Sequence, residues 1–246
     1  MKKLLIFTLA LIFPVLGAAA GDGAALDLAG NNLANLKSLP RGAKYYVNYC
    51  LGCHSLKYVR YDRVGRDLSL TETQLMDNLM FTAEKPSQMM VIAMPVDDAE
   101  RWFGRAPPDL SLAARSRGVD WIYTYMRSFY LDDTRPLGVN NIVIPGASMP
   151  HVLAEMQGYQ IAHFKEWEDE EGNTHEQFDR FELIKPGKLS AAEFDMLVRD
   201  LVNFLEYVSE PVQVKRQHIG IGVLAFLLVF FIFAFFLKRE YWRDIH

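Results

Sequence analysis

The only two cysteines of the 246-residue chain stand three positions apart and are followed at once by a histidine, in Cys50-Leu51-Gly52-Cys53-His54. C-x-x-C-H is the attachment pattern of a c-type haem. Residues i, i+3 and i+4 share one face of a helix. Both thiols can therefore reach the two vinyl groups of one porphyrin while the next residue sets an imidazole under the iron, and Gly52 leaves room for the ring edge. Three other uses of the same residues fit less well. A redox dithiol would open a helix in a βαβ setting, and no such pattern surrounds Cys50. A structural zinc ion needs more ligands than two cysteines and the nearby histidines offer, and a disulfide spanning two residues is strained. One covalent haem c, held through Cys50 and Cys53 with His54 on the iron, is the expected chemistry.

The iron's remaining axial position calls for a methionine or a histidine, and methionine raises the reduction potential. Most of the ten methionines are expected to fill gaps in a core. Two precede proline, Met94-Pro95 and Met149-Pro150. Ile144-Pro145-Gly146-Ala147-Ser148-Met149-Pro150 is an irregular, turn-rich segment able to lay one side chain against a haem face, whereas Met94 follows the apolar run Met89-Met90-Val91-Ile92. On spacing alone Met149 leads, with Met94, His151 and His163 as alternatives.

These groups need elements to position them. Tyr46, Val47, Cys50 and His54 recur at helical spacing in residues 43–53. Thr71-Glu72-Thr73-Gln74 reads as a helix start, Pro107-Pro108-Asp109-Leu110 as a turn feeding a short helix with Asp109 as N-cap, and Asp120 as the cap of a helix running to Tyr130. Residues 131–187 carry little periodicity and read as loops with a small hairpin around 164–183. Ser190-Ala191-Ala192-Glu193 is a capping box. The helix it opens aligns Phe194, Leu197, Val198, Leu201, Leu205 and Val208, and stops at Pro211. The expected fold is mostly α, a cytochrome c-like haem domain with loop insertions plus one C-terminal transmembrane helix.

The two ends set the compartment. Lys2 and Lys3, the apolar run from Leu4 to Leu16, and Ala18-Ala19-Ala20 have the three parts of a cleaved export signal, and the run is too short to span a bilayer. Residues 1–20 are read as the signal peptide and 21–211 as an exported haem domain. Ile219 to Leu237 holds no charge and would be about 28 Å long as a helix, close to the hydrocarbon thickness. Residues 212–239 are read as the anchor, with Tyr241 and Trp242 at the interface. Basic residues flank the span on both sides, so the signal decides orientation: haem domain in the periplasm, residues 240–246 in the cytoplasm, the whole in a bacterial inner membrane. A formal charge of −4 and the absence of a long basic stretch argue against nucleic acid.

The order of these segments resembles the cytochrome c1 family, the haem subunit of the quinol–cytochrome c reductase (bc1) complex. The resemblance rests on Arg41-Gly42, Tyr46, Cys50-x-x-Cys53-His54-Ser55 and Tyr58-Val59-Arg60-Tyr61. It also rests on Pro107-Pro108-Asp109-Leu110-Ser111 with Arg115 and Arg117, on Pro145-Gly146 with Met149-Pro150, and on Ser209-Glu210-Pro211 before the span. It implies thioether bonds at Cys50 and Cys53, His54 and Met149 as axial ligands, and Arg117 paired with a haem propionate. Pro108 would supply the carbonyl that orients His54, and Tyr46 would line the haem pocket. It implies electron transfer from the Rieske iron–sulfur protein beside cytochrome b to a c-type cytochrome, in a dimeric complex. The chain is then an electron carrier by itself and part of an oxidoreductase as a subunit. Trp121 stands where many members carry tyrosine. With two cysteines there is no extra disulfide for the ligand loop, which is expected to be held by packing and haem contacts alone.

The acidic run Glu166, Glu168, Asp169, Glu170 and Glu171 reads either as a solvated loop or as a patch that steers a basic cytochrome. Two rival functions remain at this level: a tethered monohaem cytochrome donating to a terminal oxidase, and a membrane-anchored thiol oxidoreductase.

Overall fold

The computed structural model describes residues 25–168 and 172–245, so the signal expected at residues 1–20 and part of the acidic run lie outside the described residues. Its framework is a pair of helices far apart in sequence. Helix α1 (Ser38–Tyr49) buries Leu39, Gly42, Ala43, Tyr46 and Val47, one stripe at helical spacing. Helix α8 (Ala191–Ser209) starts at Ser190, whose side chain accepts from the Glu193 backbone while the Glu193 carboxylate accepts in return, and the six apolar residues aligned by periodicity are all buried. The two stripes pack together. At the crossing, a Cβ on Gly42 would lie 2.1 Å from the Asp200 carbonyl oxygen, so the helices approach at backbone distance there. Asp200, buried beside this point, accepts from Ser38 Oγ at 2.6 Å and from Arg41 Nε and Nη2 at 2.5 and 2.8 Å. Its charge is paired and hydrogen-bonded, as a buried carboxylate requires.

Around this pair lie α2 (Tyr61–Asp67), α3 (Glu72–Leu79), α4 (Val96–Phe103), α5 (Ala113–Arg117), α6 (Val119–Arg127) and α7 (Ala154–Gln157). Helix α3 has the expected start, a capping box between Thr71 and Gln74. Helices α5 and α6 both rest on α8. Asp120 lies within α6, one residue past its start, and instead of capping it takes the backbone N–H of Ala29 at 2.7 Å. That bond belongs to a strap, residues 25–36, which crosses the domain. Asp27 N–H donates to Thr124 Oγ1, Arg199 Nε to Ala29 O, and Asn203 Nδ2 to Asn32 O.

Three small antiparallel pairs complete the domain. Strand β1 (Leu56–Arg60) meets β2 (Met89–Met90), and β3 (Phe129–Leu131) meets β4 (Val139–Asn141) in the register Phe129↔Asn141. Strands β5 (Gly158–Glu168) and β6 (Thr174–Pro186) form a ribbon longer than the hairpin expected at 164–183, pairing from Gly158↔Pro186 to Glu168↔Thr174. Both faces of the ribbon are largely exposed, which removes the apolar alternation by which a half-buried strand announces itself. Its base is fixed by Gln160 Nε2, which donates to Arg127 O at 3.0 Å and Phe129 O at 2.8 Å.

Helix α9 (Gln213–Tyr241) extends past both ends of the uncharged run. Its 29 residues, none of them buried against the domain, give about 43 Å of helix, enough to cross the hydrocarbon and reach both headgroup layers.

Candidate haem site

The Cys-x-x-Cys-His segment begins where α1 ends. The helix stops at Tyr49, short of the residue 53 expected from spacing, and Cys50 is its C-terminal cap. Helical hydrogen bonding nevertheless continues for one looser turn. Cys50 and Leu51 N–H both reach Tyr46 O, and Cys53 and His54 N–H both reach Cys50 O. The spacing that turns both sulfurs and the imidazole to one side therefore survives past the regular helix. Tyr46 fastens the far end: fully buried, with its ring 5.7 Å from that of Phe204 on α8, it donates its hydroxyl to His54 O at 2.5 Å. Burial pushes this phenol well above its usual range, so the proton stays available for that bond.

His54 is oriented from outside the helix. Its Nδ1 lies 2.7 Å from Pro108 O. A carbonyl only accepts, so Nδ1 carries the proton and Nε2 presents its lone pair; Nε2 has no hydrogen-bond partner among the described residues. Burial lowers the imidazole's affinity for a second proton, against a smaller opposing effect of the Pro108 carbonyl, so the ring is neutral, the state a metal ligand needs.

Four hydrogen bonds clamp residues 108–111 to residues 54–58. Beyond Pro108, Leu110 N–H donates to Ser55 O at 2.9 Å, Lys57 N–H to Asp109 Oδ2 at 2.9 Å, and Tyr58 N–H to Ser111 Oγ at 3.2 Å. Asp109 also takes Ser111 N–H. It is therefore the knot of the clamp, not the cap of α5, which starts four residues later without a side-chain cap. Spacing alone does not mark Asp109 or Ser111 as site residues; their polar side chains beside Pro107-Pro108 are the signal the sequence offers.

Cys50 is buried and Cys53 partly so, both as free thiols. Burial pushes Cys50 up to about 12, with Cys53 adding to the effect. A thiol in that state is the opposite of the low-pKa thiolate of a disulfide oxidoreductase. Among the described residues no three His, Cys, Asp or Glu side chains gather closely enough to hold a bare metal ion. A porphyrin brings four of the iron's donors itself and asks the protein for only two.

Met149 packs half-buried against the core cluster, and the buried Tyr125 on α6 donates its hydroxyl to the thioether, O to Sδ 3.5 Å. The loop carrying Met149 is not held by packing alone. Asn140 Oδ1 accepts from Gly146 N–H at 2.7 Å, and Asn141 Oδ1 accepts from Val143 and Ile144 N–H while its Nδ2 donates to Tyr125 O at 2.8 Å. Gly146 sits at φ +76°, a turn that glycine adopts without strain. Two adjacent strand asparagines thus do the work a disulfide would do.

Arg117 is exposed at the end of α5 with its guanidinium 5.2 Å from the Trp121 ring and forms no ion pair among the described residues. Of the alternative axial candidates, Met94 is half-buried. His151 stacks on Phe129 at 5.1 Å with both ring nitrogens buried and lacking a well-formed hydrogen bond, and burial lowers it to about 4. His163 is tied to Glu182 on the ribbon at 2.7 Å.

A paired thiol turn, an oriented neutral imidazole, a thioether loop and one apolar helix define a c-type cytochrome domain anchored in a membrane. Comparison with known sequences narrows the class. Residues 32–180 and 188–245 match the profile of the Cytochrome C1 family. Over 246 residues the chain is 48% identical to "Cytochrome c1" of Allochromatium vinosum, covering 100% of both chains. It is 40% identical to "Ammonia monooxygenase gamma subunit" of Nitrosomonas europaea, covering 96% of this chain and 95% of that one. It is 23% identical to "Cytochrome b/c1" of Bradyrhizobium diazoefficiens, covering 85% of this chain and 33% of that one. The chain belongs to the Cytochrome C1 family. Members carry one covalent haem c, and the free cysteines at 50 and 53, followed by His54, are consistent with its Cys-x-x-Cys-His attachment site.

Proposed function

We propose that this chain is the haem subunit of a quinol–cytochrome c reductase (bc1) complex, taking electrons from the Rieske iron–sulfur protein beside cytochrome b and passing them to a c-type cytochrome. The observation that carries the reading is the His54–Pro108 contact at 2.7 Å. It fixes the tautomer and plane of an imidazole that stands directly after two free thiols. The haem supplies one-electron cycling between ferric and ferrous iron. The protein's part is to hold its donors still. Cys50 and Cys53 would hold the porphyrin through thioether bonds, His54 Nε2 and Met149 Sδ would supply the iron's two protein ligands, and the clamp at 108–111 keeps the imidazole from turning. An iron held by both protein donors would leave no place for substrate, which suits a relay and not a site of bond chemistry. Arg117, exposed beside Trp121, would pair with a propionate.

The relative named for both b and c1 cytochromes supports assembly with a cytochrome b, and α9 supports attachment to the membrane. In this reading residues 1–20 are removed on export, 21–211 fold in the periplasm, 212–239 span the inner membrane, and 240–246 remain in the cytoplasm, within a dimeric complex. Replacing Met149 by leucine tests the axial assignment: the reduction potential and steady-state quinol oxidation should both fall, and if neither changes the assignment is wrong. Purification through a tag on this chain should bring down a multi-span cytochrome b; a chain that comes down without it would favour the terminal-oxidase alternative.

A further inference from the structure

We infer that Tyr125 sets the strength of the axial thioether by donating a hydrogen bond to Met149 Sδ, and thereby helps to fix the reduction potential of this cytochrome. The inference rests on the reading of Met149 as an iron ligand. Three features make the contact a built one. The hydroxyl lies 3.5 Å from the sulfur, within the normal reach of an O–H donor to a large, weakly accepting atom. The ring is held in one plane from two sides: Trp121 stacks against it at 5.3 Å with only 5° between planes, and Phe129 meets it edge-on at 5.1 Å and 70°. The backbone carbonyl of Tyr125 is tied by Asn141 Nδ2, and the same Asn141 holds Val143 and Ile144 at the start of the ligand loop. Donor and acceptor are thus fixed to each other through one asparagine, so the contact does not depend on a freely moving loop.

The chemistry follows from where the electron pairs lie. A thioether sulfur has two lone pairs; one would go to the iron and the other accepts the hydrogen bond from the Tyr125 hydroxyl. Drawing density off the sulfur makes it a poorer donor, which disfavours the electron-poor ferric state more than the ferrous state. Tyr125 therefore adds to the elevation that thioether ligation itself provides. Trp121, which also carries the Arg117 guanidinium 5.2 Å from its ring, acts here as a positioning residue, setting the plane of the phenol.

The test uses the full chain purified in its membrane complex, with the potential read by redox titration and the axial sulfur read by its ligand-to-iron absorption band in the ferric state. Tyr125→Phe keeps both ring contacts and removes only the hydroxyl. It should retain the band, shifted, and move the ferric–ferrous equilibrium about threefold toward ferric, which is about 28 mV downward for a one-electron couple. Trp121→Leu, which frees the phenol without removing it, should move the potential the same way by less. Tyr123→Phe is the control: that ring lies on the same helix but makes no bond to Met149, and its potential should stay at the wild-type value. A Tyr125→Phe potential equal to wild type, with the band unmoved, overturns the inference while leaving the ligand reading intact. If Met149→Leu keeps the wild-type band, the ligand reading itself fails, and this inference with it.

Discussion

Substituting Gly42 by alanine tests whether the α1–α8 crossing is what holds the haem-binding turn. The added Cβ would stand 2.1 Å from Asp200 O, 2.7 Å from Phe204 Cβ and 2.9 Å from Asp200 C. Two of these three atoms belong to the α8 backbone, so no side chain can swing away. Restoring ordinary contact at about 3.5 Å requires the helices to part by roughly 1.4 Å, and a gap of only about 0.5–1 Å already forfeits a quarter to a half of the dispersion energy of each contact it opens. The contacts at stake are large: Leu39, Ala43, Tyr46 and Val47 on α1 face a stripe that includes Leu201, Phe204 and Leu205 on α8, all at most 6% exposed. Overpacking of this kind costs about 1–3 kcal/mol where side chains can adjust, and a backbone clash belongs at the upper end. With a denaturant slope of about 2 kcal/mol per molar, the urea midpoint of the haem domain should fall by about 1.5 M. The same displacement should loosen the Tyr46–His54 bond and lower the fraction of chains carrying covalent haem. Gly222→Ala is the internal comparison, since its Cβ meets nothing within 4 Å and it lies on α9 outside the haem domain, and the domain's midpoint should change little. A Gly42→Ala midpoint within 0.3 M of wild type (about 0.6 kcal/mol on the same slope) would refute the reasoning.

The loop clamp gives further expectations. Asn141→Ala leaves Tyr125 O, Val143 N–H and Ile144 N–H without their side-chain partner; Tyr125 O keeps the Ser128 N–H and the two N–H groups are only part-buried, so the loss should be roughly 1–2 kcal/mol. The substitution should also weaken the sulfur-to-iron band, and an unchanged band would show the loop to be held otherwise. Asp132 accepts from Thr134 and from Asn140, and these bonds hold its carboxyl below the usual range. Because the folded-state value is depressed, the stabilisation is present above the unfolded value of about 3.9 and disappears as pH falls through the lower folded value. Acid titration followed by the band should therefore show a loss below about pH 4 that Asp132→Asn shifts or abolishes; identical acid profiles would remove Asp132 from the clamp.

Much of the site was legible because it is written in local sequence. Cys50, Cys53 and His54 declare themselves by spacing, the Ser190 and Thr71 capping boxes by residue type, and α9 by an uncharged run. What stayed hidden is non-local. Asp109 and Ser111 act on residues more than fifty positions away, so their roles depend on which loop the fold brings against His54. Asn140 and Asn141 look like turn residues in sequence, yet they sit buried in a short strand and use side-chain amides to hold the next loop. Asp120 has the type of a helix cap but is claimed by the strap at Ala29, a tertiary partner outbidding a local one. The ribbon β5–β6 was underestimated for the opposite reason: its stability comes from pairing with itself, and a two-sided exposed strand leaves no period to read.

Mass spectrometry of the peptide spanning residues 50–54, cut from chain purified without reducing or alkylating treatment, shows whether the two thiols hold a porphyrin. This peptide should carry one haem bound through both sulfurs, and the intact protein should show the spectrum of a low-spin c-type haem with a thioether ligand. A colourless chain whose Cys50 and Cys53 are both found unmodified, and both react with an alkylating reagent after unfolding, would contradict the haem assignment.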